Sequence, residues 1–256
     1  YEPIKTFRYK ETPQGALDMQ IHLPYDLYPG EPGGDRRPAI VFFFGGGWRG
    51  GTTRQFARQA VYLASKGMIA AIADYRVQSR HGVTADACVE DGKSAVRWLR
   101  QHADELCIDP ARIVGSGGSA GAHVAACAAL VKGFEAEGED RSISCRPDAL
   151  LLYNSVLEPL PRDIGDTVPT AEIGHLISPV QHVDARTPPT LLLYGTEDDA
   201  YGGPAPLYVQ KAIDAGCRAE LYLAEGQVHG FFNEPPWFER TLARAEEFLI
   251  SLGYIS

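Results

Sequence analysis

Apolar runs of strand length alternate with helical patterns along most of this chain, and that alternation restricts the fold more than any other feature. Ala39-Ile40-Val41-Phe42-Phe43-Phe44 is a continuous apolar run, the pattern of a central strand covered on both faces. Residues 53–66 read as a helix stopped by Gly67, and residues 68–73 as a second buried strand. Residues 85–106 form an amphipathic helical pattern with Val89, Val96 and Leu99 on its apolar side. Asp109-Pro110 opens a turn before a strand at Arg112-Ile113-Val114-Gly115, and an Ala-rich helical run covers 122–131. Further strands are expected at 149–153, 190–194 and 219–224, with helices at 207–215 and 238–252. Near the start, alternating segments at 4–10 and 16–23 flank Pro13-Gln14-Gly15 and predict an antiparallel hairpin, followed by a Pro/Gly-rich loop at 29–38. The expectation is an α/β fold: a mostly parallel eight-stranded sheet flanked by helices on both faces.

Bulk properties narrow the function classes. At 256 residues, with 45% hydrophobic and 22% charged side chains, the chain is long enough for one large α/β domain with a well-buried core. No internal repeat or second-domain boundary is visible, so residues 1–256 are expected to form a single domain. Residues 156–187 lack periodicity and are rich in Pro, Gly and Asp; a segment of this kind is expected to be a small lid or insert folded over a binding site. A net charge of -9 argues against a nucleic-acid partner, which demands a basic face, and against an anionic membrane surface. No apolar run approaches the roughly 20 residues of a membrane span. Cysteines 88, 107, 127, 145 and 217 form no C-x-x-C and no metal-ligand spacing. Cys88 and Cys127 fall in apolar helical patterns, as small buried hydrophobes do. The chain begins at Tyr1 with no signal-like apolar region, and a secreted or periplasmic protein with its signal removed is the expectation over a cytoplasmic one.

The chemistry concentrates at Gly117-Gly118-Ser119-Ala120-Gly121, between a short β-branched run and a helix. G-x-S-x-G at a strand-to-helix turn is the nucleophile elbow, in which a serine projects from a strained turn between small neighbours. The same stretch matches the dinucleotide pattern G-x-G-x-x-A over residues 115–120, but the acidic partners at the right distance, Glu135 and Glu137, lie in a polar run that reads as a solvated loop. A Gly-rich structural turn is the third reading. A serine nucleophile needs a base, and the base needs an orienting acid. Of seven histidines, His229 directly follows the last strand, where ligand-facing loops of a parallel sheet lie. His123, one turn into the helix after Ser119, points along that helix and is expected to pack or hydrogen-bond. The acid is expected in Glu197-Asp198-Asp199, just past a strand; Asp198 is the choice over its two neighbours. Gly45-Gly46-Gly47 after the Phe44 strand supplies backbone N–H donors for an oxyanion, and the N–H of Ala120 a further one. Gly92-Lys93-Ser94 is not a phosphate loop, because Ala87 stands where the first glycine is required.

These motifs together resemble an α/β-hydrolase of the bacterial carboxylesterase and lipase type, near the hormone-sensitive-lipase-like and acetyl-xylan-esterase-like groups. The resemblance spans nearly the whole chain and rests on Phe44 to Trp48, Asp74-Tyr75-Arg76, residues 109–113, 117–121, 195–198 and His229-Gly230-Phe231. The order also matches, with the oxyanion loop after the third strand, serine after the fifth, acid after the seventh and histidine after the eighth. The resemblance implies Ser119 as nucleophile, His229 as base and Asp198 as its partner. Phe44 stands where the family's oxyanion motif usually has histidine, and Gly118 to His123 departs from the usual D-S-A-G-G-N. The hairpin begins almost at the first residue given, so the group's N-terminal cap helices are expected to be missing, and an open, shallow site is expected rather than that of a long-chain lipase.

The expected function is a serine carboxylesterase acting on short-chain acyl esters by a Ser-His-Asp triad, with Gly46, Gly47 and Ala120 as the oxyanion hole. Neither a metal nor an organic cofactor is expected. Trp48, Tyr201, Phe231 and Trp237 are the aromatic residues expected to line or rim the site. An open site flanked by rings suits a small-molecule or carbohydrate-borne ester, such as acetyl or feruloyl groups on plant polysaccharide. The alternatives are a prolyl-oligopeptidase-like serine peptidase and a non-catalytic binding module on a hydrolase fold. The first generally carries a propeller domain, and the second usually lacks a triad residue.

Overall fold

The computed structural model describes residues 5–27 and 35–256; Ile4 and most of the 29–38 loop lie outside the described residues. The strands are β1 (Lys5–Thr12), β2 (Gly15–His22), β3 (Arg37–Phe43), β4 (Ile69–Ala73), β5 (Ile108–Gly118), β6 (Ala149–Tyr153), β7 (Thr190–Gly195) and β8 (Ala219–Ala224). They form one sheet in the order β1-β2-β4-β3-β5-β6-β7-β8. The hairpin β1–β2 and the pair β2–β4 are antiparallel, and every pair from β4 to β8 is parallel.

The continuous apolar runs are explained by burial on both faces. Along β3, Ala39, Val41 and Phe43 enter one core cluster, whereas Ile40 and Phe42 enter the other. Along β7, Leu192 and Tyr194 face the first cluster and Leu191 and Leu193 the second. This is the period-2 alternation of a strand with no solvent face.

The helices are α1 (Ala57–Ser65), α2 (Gln78–His81), α3 (Ala85–Gln101), α4 (Ala103–Leu106), α5 (Ala120–Leu130), α6 (Ala171–Leu176), α7 (Pro204–Asp214) and α8 (Trp237–Ser251). Residues of α3, α5 and α7 pack into the first cluster, and those of α1 and α8 into the second. Every residue of α5 is buried, which is why its sequence shows an Ala-rich run and no polar stripe. Lys93 is buried too: its ammonium donates to the carbonyls of Val131 (2.6 Å) and Gly133 (2.5 Å), just past the C-terminus of α5, where the helix dipole favours a cation. The lysine of the rejected phosphate-loop match is therefore a structural cap.

Two sequence expectations are corrected in detail. The helix expected at 85–106 is two helices, interrupted at His102. Asp109-Pro110 does not precede the strand but lies inside it, where pairing with β3 slips between Arg37 and Ala39. Proline has no N–H to give the ladder, and the Asp109 carboxylate instead accepts from the N–H of Ala111 at 3.0 Å.

Residues 156–187 are folded rather than structureless. They contain α6 and two single 3-10 turns, Pro161–Asp163 and Pro179–Gln181. Leu157, Val168, Ile177 and Val180 are buried in the first cluster. Elements this short are below the length at which hydrophobic periodicity shows.

Candidate active site

Ser119 sits between β5 and α5 with φ 55° and ψ -121°, a left-handed conformation that a non-glycine residue adopts only where the surroundings impose it. Its N–H donates to the carbonyl of Tyr153 at the end of β6 (2.8 Å). The turn requires a very close approach of α5 to β3: a Cβ on Gly121 would lie 2.1 Å from the Phe43 carbonyl oxygen. The glycine two residues after the serine is therefore a packing requirement of the elbow.

His229 lies on the loop after β8 and Asp198 on the loop after β7. The Ser119 hydroxyl is 2.8 Å from His229 Nε2, and His229 Nδ1 is 2.8 Å from Asp198 Oδ1. Residues 119, 198 and 229 thus converge into one hydrogen-bonded chain. Asp198 Oδ1 also accepts from the N–H of Ala200 at 2.9 Å, and Oδ2 accepts from the side-chain amide of Asn154. Burial works to raise the Asp198 carboxyl, but the hydrogen bonds from His229, Ala200 and Asn154 and the nearby imidazole outweigh it and hold the group below the usual carboxylate range. Asp199 is exposed and pairs with Arg162 (3.3 Å), and Glu197 is exposed; neither touches His229.

The loop after β3 carries the expected oxyanion donors. Gly46 has φ 132°, and a Cβ there would lie 2.3 Å from the Gly50 carbonyl oxygen, so only glycine fits. The N–H of Gly45 is spent on Gln55 Oε1 at 2.6 Å. Those of Gly46, Gly47 and Ala120 make no hydrogen bond among the described residues, and Ala120 opens α5, where orphan N–H groups are expected. Phe44, standing where the family's oxyanion motif usually has histidine, stacks on Tyr75 at 4.3 Å between ring centres, and its carbonyl accepts from the Tyr75 hydroxyl at 2.6 Å. An aromatic clamp thus fixes the base of this loop.

A cleft of about 600 Å³ opens over Ser119. Its apolar lining is Trp48, Val156, Leu160, Ala200 and Val228, and its charged lining includes Arg49, Arg162, Asp163, Glu197 and Asp199. Asp166, in the 156–187 segment, is paired with Arg49 and accepts from Gln78 at 3.1 Å. Arg162 reaches Asp199 from the other side. The segment expected as a lid or insert therefore supplies Val156, Leu160, Arg162 and Asp163 to the cleft.

Of the four aromatic residues expected at the site, Trp48 lines the cleft, and the other three do not. Tyr201 packs against Tyr194 (5.8 Å), and Trp237 packs edge-on against the buried Phe231 (5.5 Å). Phe232, next in line, packs on Phe56 and Tyr153 in the second cluster.

His123 is wholly buried and hydrogen-bonded, as its position suggested. Its Nδ1 accepts from the Trp48 indole N–H at 3.3 Å, so the Nε2 proton is the one donated to the Ile177 carbonyl at 2.8 Å. Burial lowers its pKa to about 4 despite that carbonyl. The unfolded chain takes up this proton near pH 6.5 and the folded chain does not. Stability should therefore fall as the pH drops from about 6.5 to about 4, by on the order of 3 kcal/mol for this group. Urea unfolding of wild type and His123→Gln at pH 7.5 and 4.5 checks this. The variant should lose less stability on acidification, and equal losses would contradict it.

Three contacts on these residues were not anticipated from the sequence, the Asn154 side chain, the Tyr153 carbonyl and the Ala200 N–H. For Asn154 the signal is positional: a polar residue directly after the strand that neighbours the serine strand.

Among the described residues, no group of three or more His, Cys, Asp or Glu side chains is placed to hold a metal ion, the five cysteines are free, and no helix is long and apolar enough to cross a membrane.

Similarity to known proteins agrees with this fold. The BD-FAE family model matches residues 25–149. The native structure of an esterase from Thermogutta terrifontis superposes with a TM-score of 0.91 at 40% identity, covering 99% of this chain and 94% of that one. The chain belongs to the α/β-hydrolase carboxylesterases. Within these serine ester hydrolases it is 26% identical over 250 residues to carboxylesterase NlhH of Mycobacterium tuberculosis, covering 91% of this chain and 75% of that protein. It is 27% identical to a probable isoprenylcysteine alpha-carbonyl methylesterase of Arabidopsis thaliana, over 80% of this chain. The chain spans 48% of that plant protein's length. The Thermogutta esterase has also been seen with propionate bound, with butyrate bound and phosphorylated by paraoxon.

Proposed function

We propose that this carboxylesterase hydrolyses short-chain acyl esters through an acyl-enzyme on Ser119, with His229 as general base and Asp198 as its orienting acid. The observation that carries this reading is the unbroken chain of 2.8 Å contacts from the Ser119 hydroxyl through His229 to Asp198 at the floor of the cleft. Ser119 Oγ attacks the ester carbonyl as His229 Nε2 takes its proton. The N–H groups of Gly46, Gly47 and Ala120 receive the oxyanion. His229 then returns the proton to the departing alcohol, and activates the water that releases the acid and frees Ser119.

Chain-length preference follows from the walls. Each buried CH₂ contributes roughly 0.8 kcal/mol, where an apolar surface is there to cover it. Val156 and Leu160 line the cleft together with the nearly buried Trp48, but so do the charged side chains of Arg49, Arg162 and Asp163, so apolar cover for a long tail is small. Residues 156–187 act in this reading as an insert that walls the cleft. Propionate and butyrate in the Thermogutta relative support the same acyl range. We expect kcat/KM for p-nitrophenyl esters to be highest from acetyl to butyryl and to fall steeply by octanoyl. A maximum at eight carbons or longer would contradict the short-acyl reading.

Of the plant-polysaccharide acyl groups expected from the sequence, acetyl fits these walls. For a feruloyl group the cleft offers one of the four expected rings, Trp48, because Tyr201, Phe231 and Trp237 lie off it. Release of acetate from acetylated xylo-oligosaccharides, set beside release of ferulate from feruloylated ones, tests the distinction.

A further inference from the structure

Asn154 is a buried amide that the triad mechanism leaves without a task. It follows β6 directly, is wholly buried, and has a left-handed backbone with φ 48°. Its N–H donates to the Leu193 carbonyl at 2.8 Å, and its side-chain amide donates to Asp198 Oδ2. Asp198 Oδ1 is shared by His229 Nδ1 and the Ala200 N–H. The preceding carbonyl, that of Tyr153, accepts from the Ser119 N–H at 2.8 Å. One turn at the end of β6 therefore holds both the backbone of the nucleophile and the carboxylate of the acid.

The other half of the amide decides what the residue is for. Asn154 Oδ1 is buried with no hydrogen-bond partner among the described residues. A buried acceptor left unpaired is destabilising, so packing alone favours an apolar side chain here. The amide is explained by its donor. The left-handed backbone supplies a separate reason for asparagine, one that glycine satisfies equally well.

We propose that Asn154 is a positioning residue for ester hydrolysis: its amide fixes the Asp198 carboxylate so that Oδ1 faces His229, and by bonding Oδ2 it sets how basic His229 is. This rests on the reading of Ser119, His229 and Asp198 as the triad. The other titratable or charged groups facing this pair are Tyr194 behind Asp198, Glu197 and Asp199 on the same loop, and Arg162, Asp163 and Arg49 across the cleft. None of them hydrogen-bonds to Asp198 or His229. A carboxylate that loses an N–H donor is a stronger base and holds the imidazolium more firmly. The acidic limb of kcat/KM, set by protonation of the base, then moves to higher pH.

Two variants separate this role from the backbone one. Asn154→Gly keeps the left-handed backbone and removes the donor, whereas Asn154→Asp keeps the shape and turns the donor into a second carboxyl. With p-nitrophenyl butyrate between pH 4.5 and 9, both should lose about tenfold or more in kcat with KM little changed. The acidic limb should rise by about half a pH unit or more in Asn154→Gly, and further in Asn154→Asp. Cooperative thermal unfolding of either variant shows that it is folded, and either alone carries the test. A folded variant with wild-type kcat overturns the proposal, as does a loss of kcat with an unmoved acidic limb, which a merely structural role produces. Wild type and Ser119→Ala are measured alongside. Wild-type turnover that survives in Ser119→Ala overturns the triad reading, and the proposal with it. Ser119-dependent turnover unaffected by either Asn154 variant overturns the proposal alone.

Discussion

Ser119→Ala is expected to lower kcat for p-nitrophenyl butyrate by on the order of 10⁶, because losing the nucleophile of such a triad removes the covalent route altogether. What remains is catalysis by the oxyanion donors and by substrate binding, which still exceeds the reaction in water. The fold should survive. The Ser119 side chain's hydrogen bond is to His229, whereas the turn is held by its backbone N–H on Tyr153 and by the fit of Gly121 against Phe43. Removing the hydroxyl leaves those contacts, and the left-handed φ of 55° is no harder for alanine than for serine. Activity within tenfold of wild type would show that the elbow serine is not the nucleophile.

His229→Ala is expected to be as damaging as the serine change, since the two residues act as one unit. The same substitution at His123 should have a small effect on rate, because that side chain bonds Trp48 and Ile177 rather than Ser119. Asp198→Asn should cost on the order of 10⁴ in kcat by favouring the wrong tautomer of His229. Asp199→Asn should cost almost nothing, because Asp199 is exposed and paired with Arg162 at the surface. Steady-state kinetics on the four variants check these values together. Reversed effects at the two histidines would reassign the base, and equal losses at Asp198 and Asp199 would leave Asp198 with no special part in orienting it.

The central strands were legible because β3, β4, β6 and β7 are buried on both faces. Runs such as Ala39 to Phe44 have no reason to exist except as central strands. The convergence of Ser119, Asp198 and His229 could be anticipated because an elbow serine, a loop carboxylate and a loop histidine each follow a strand, and loops at the carboxyl ends of parallel strands share one edge of the sheet. What the sequence hid is of another kind. Asn154 reaches Asp198 across two adjacent strand ends, a contact set by sheet order rather than by spacing along the chain. Tyr201, Phe231 and Trp237 stood close to the triad in sequence and were expected to meet the substrate. Sequence proximity does not tell a ring that faces a cleft from one that packs on its neighbours, and these three lie off the cleft. The 156–187 segment hid its structure because its helical pieces are too short for a period to show, although Leu157, Val168, Ile177 and Val180 hold it in place.

Covalent capture of the nucleophile tests the triad reading most directly. Wild-type protein is incubated with paraoxon, the phosphorylating agent seen on the Thermogutta esterase, and the adduct is located by peptide mass spectrometry. One diethylphosphoryl group per chain is expected, on the peptide carrying Ser119, with loss of esterase activity in step with labelling and no label on Ser119→Ala. Inactivation with the label on another residue, or esterase activity that persists once Ser119 is fully labelled, would contradict it.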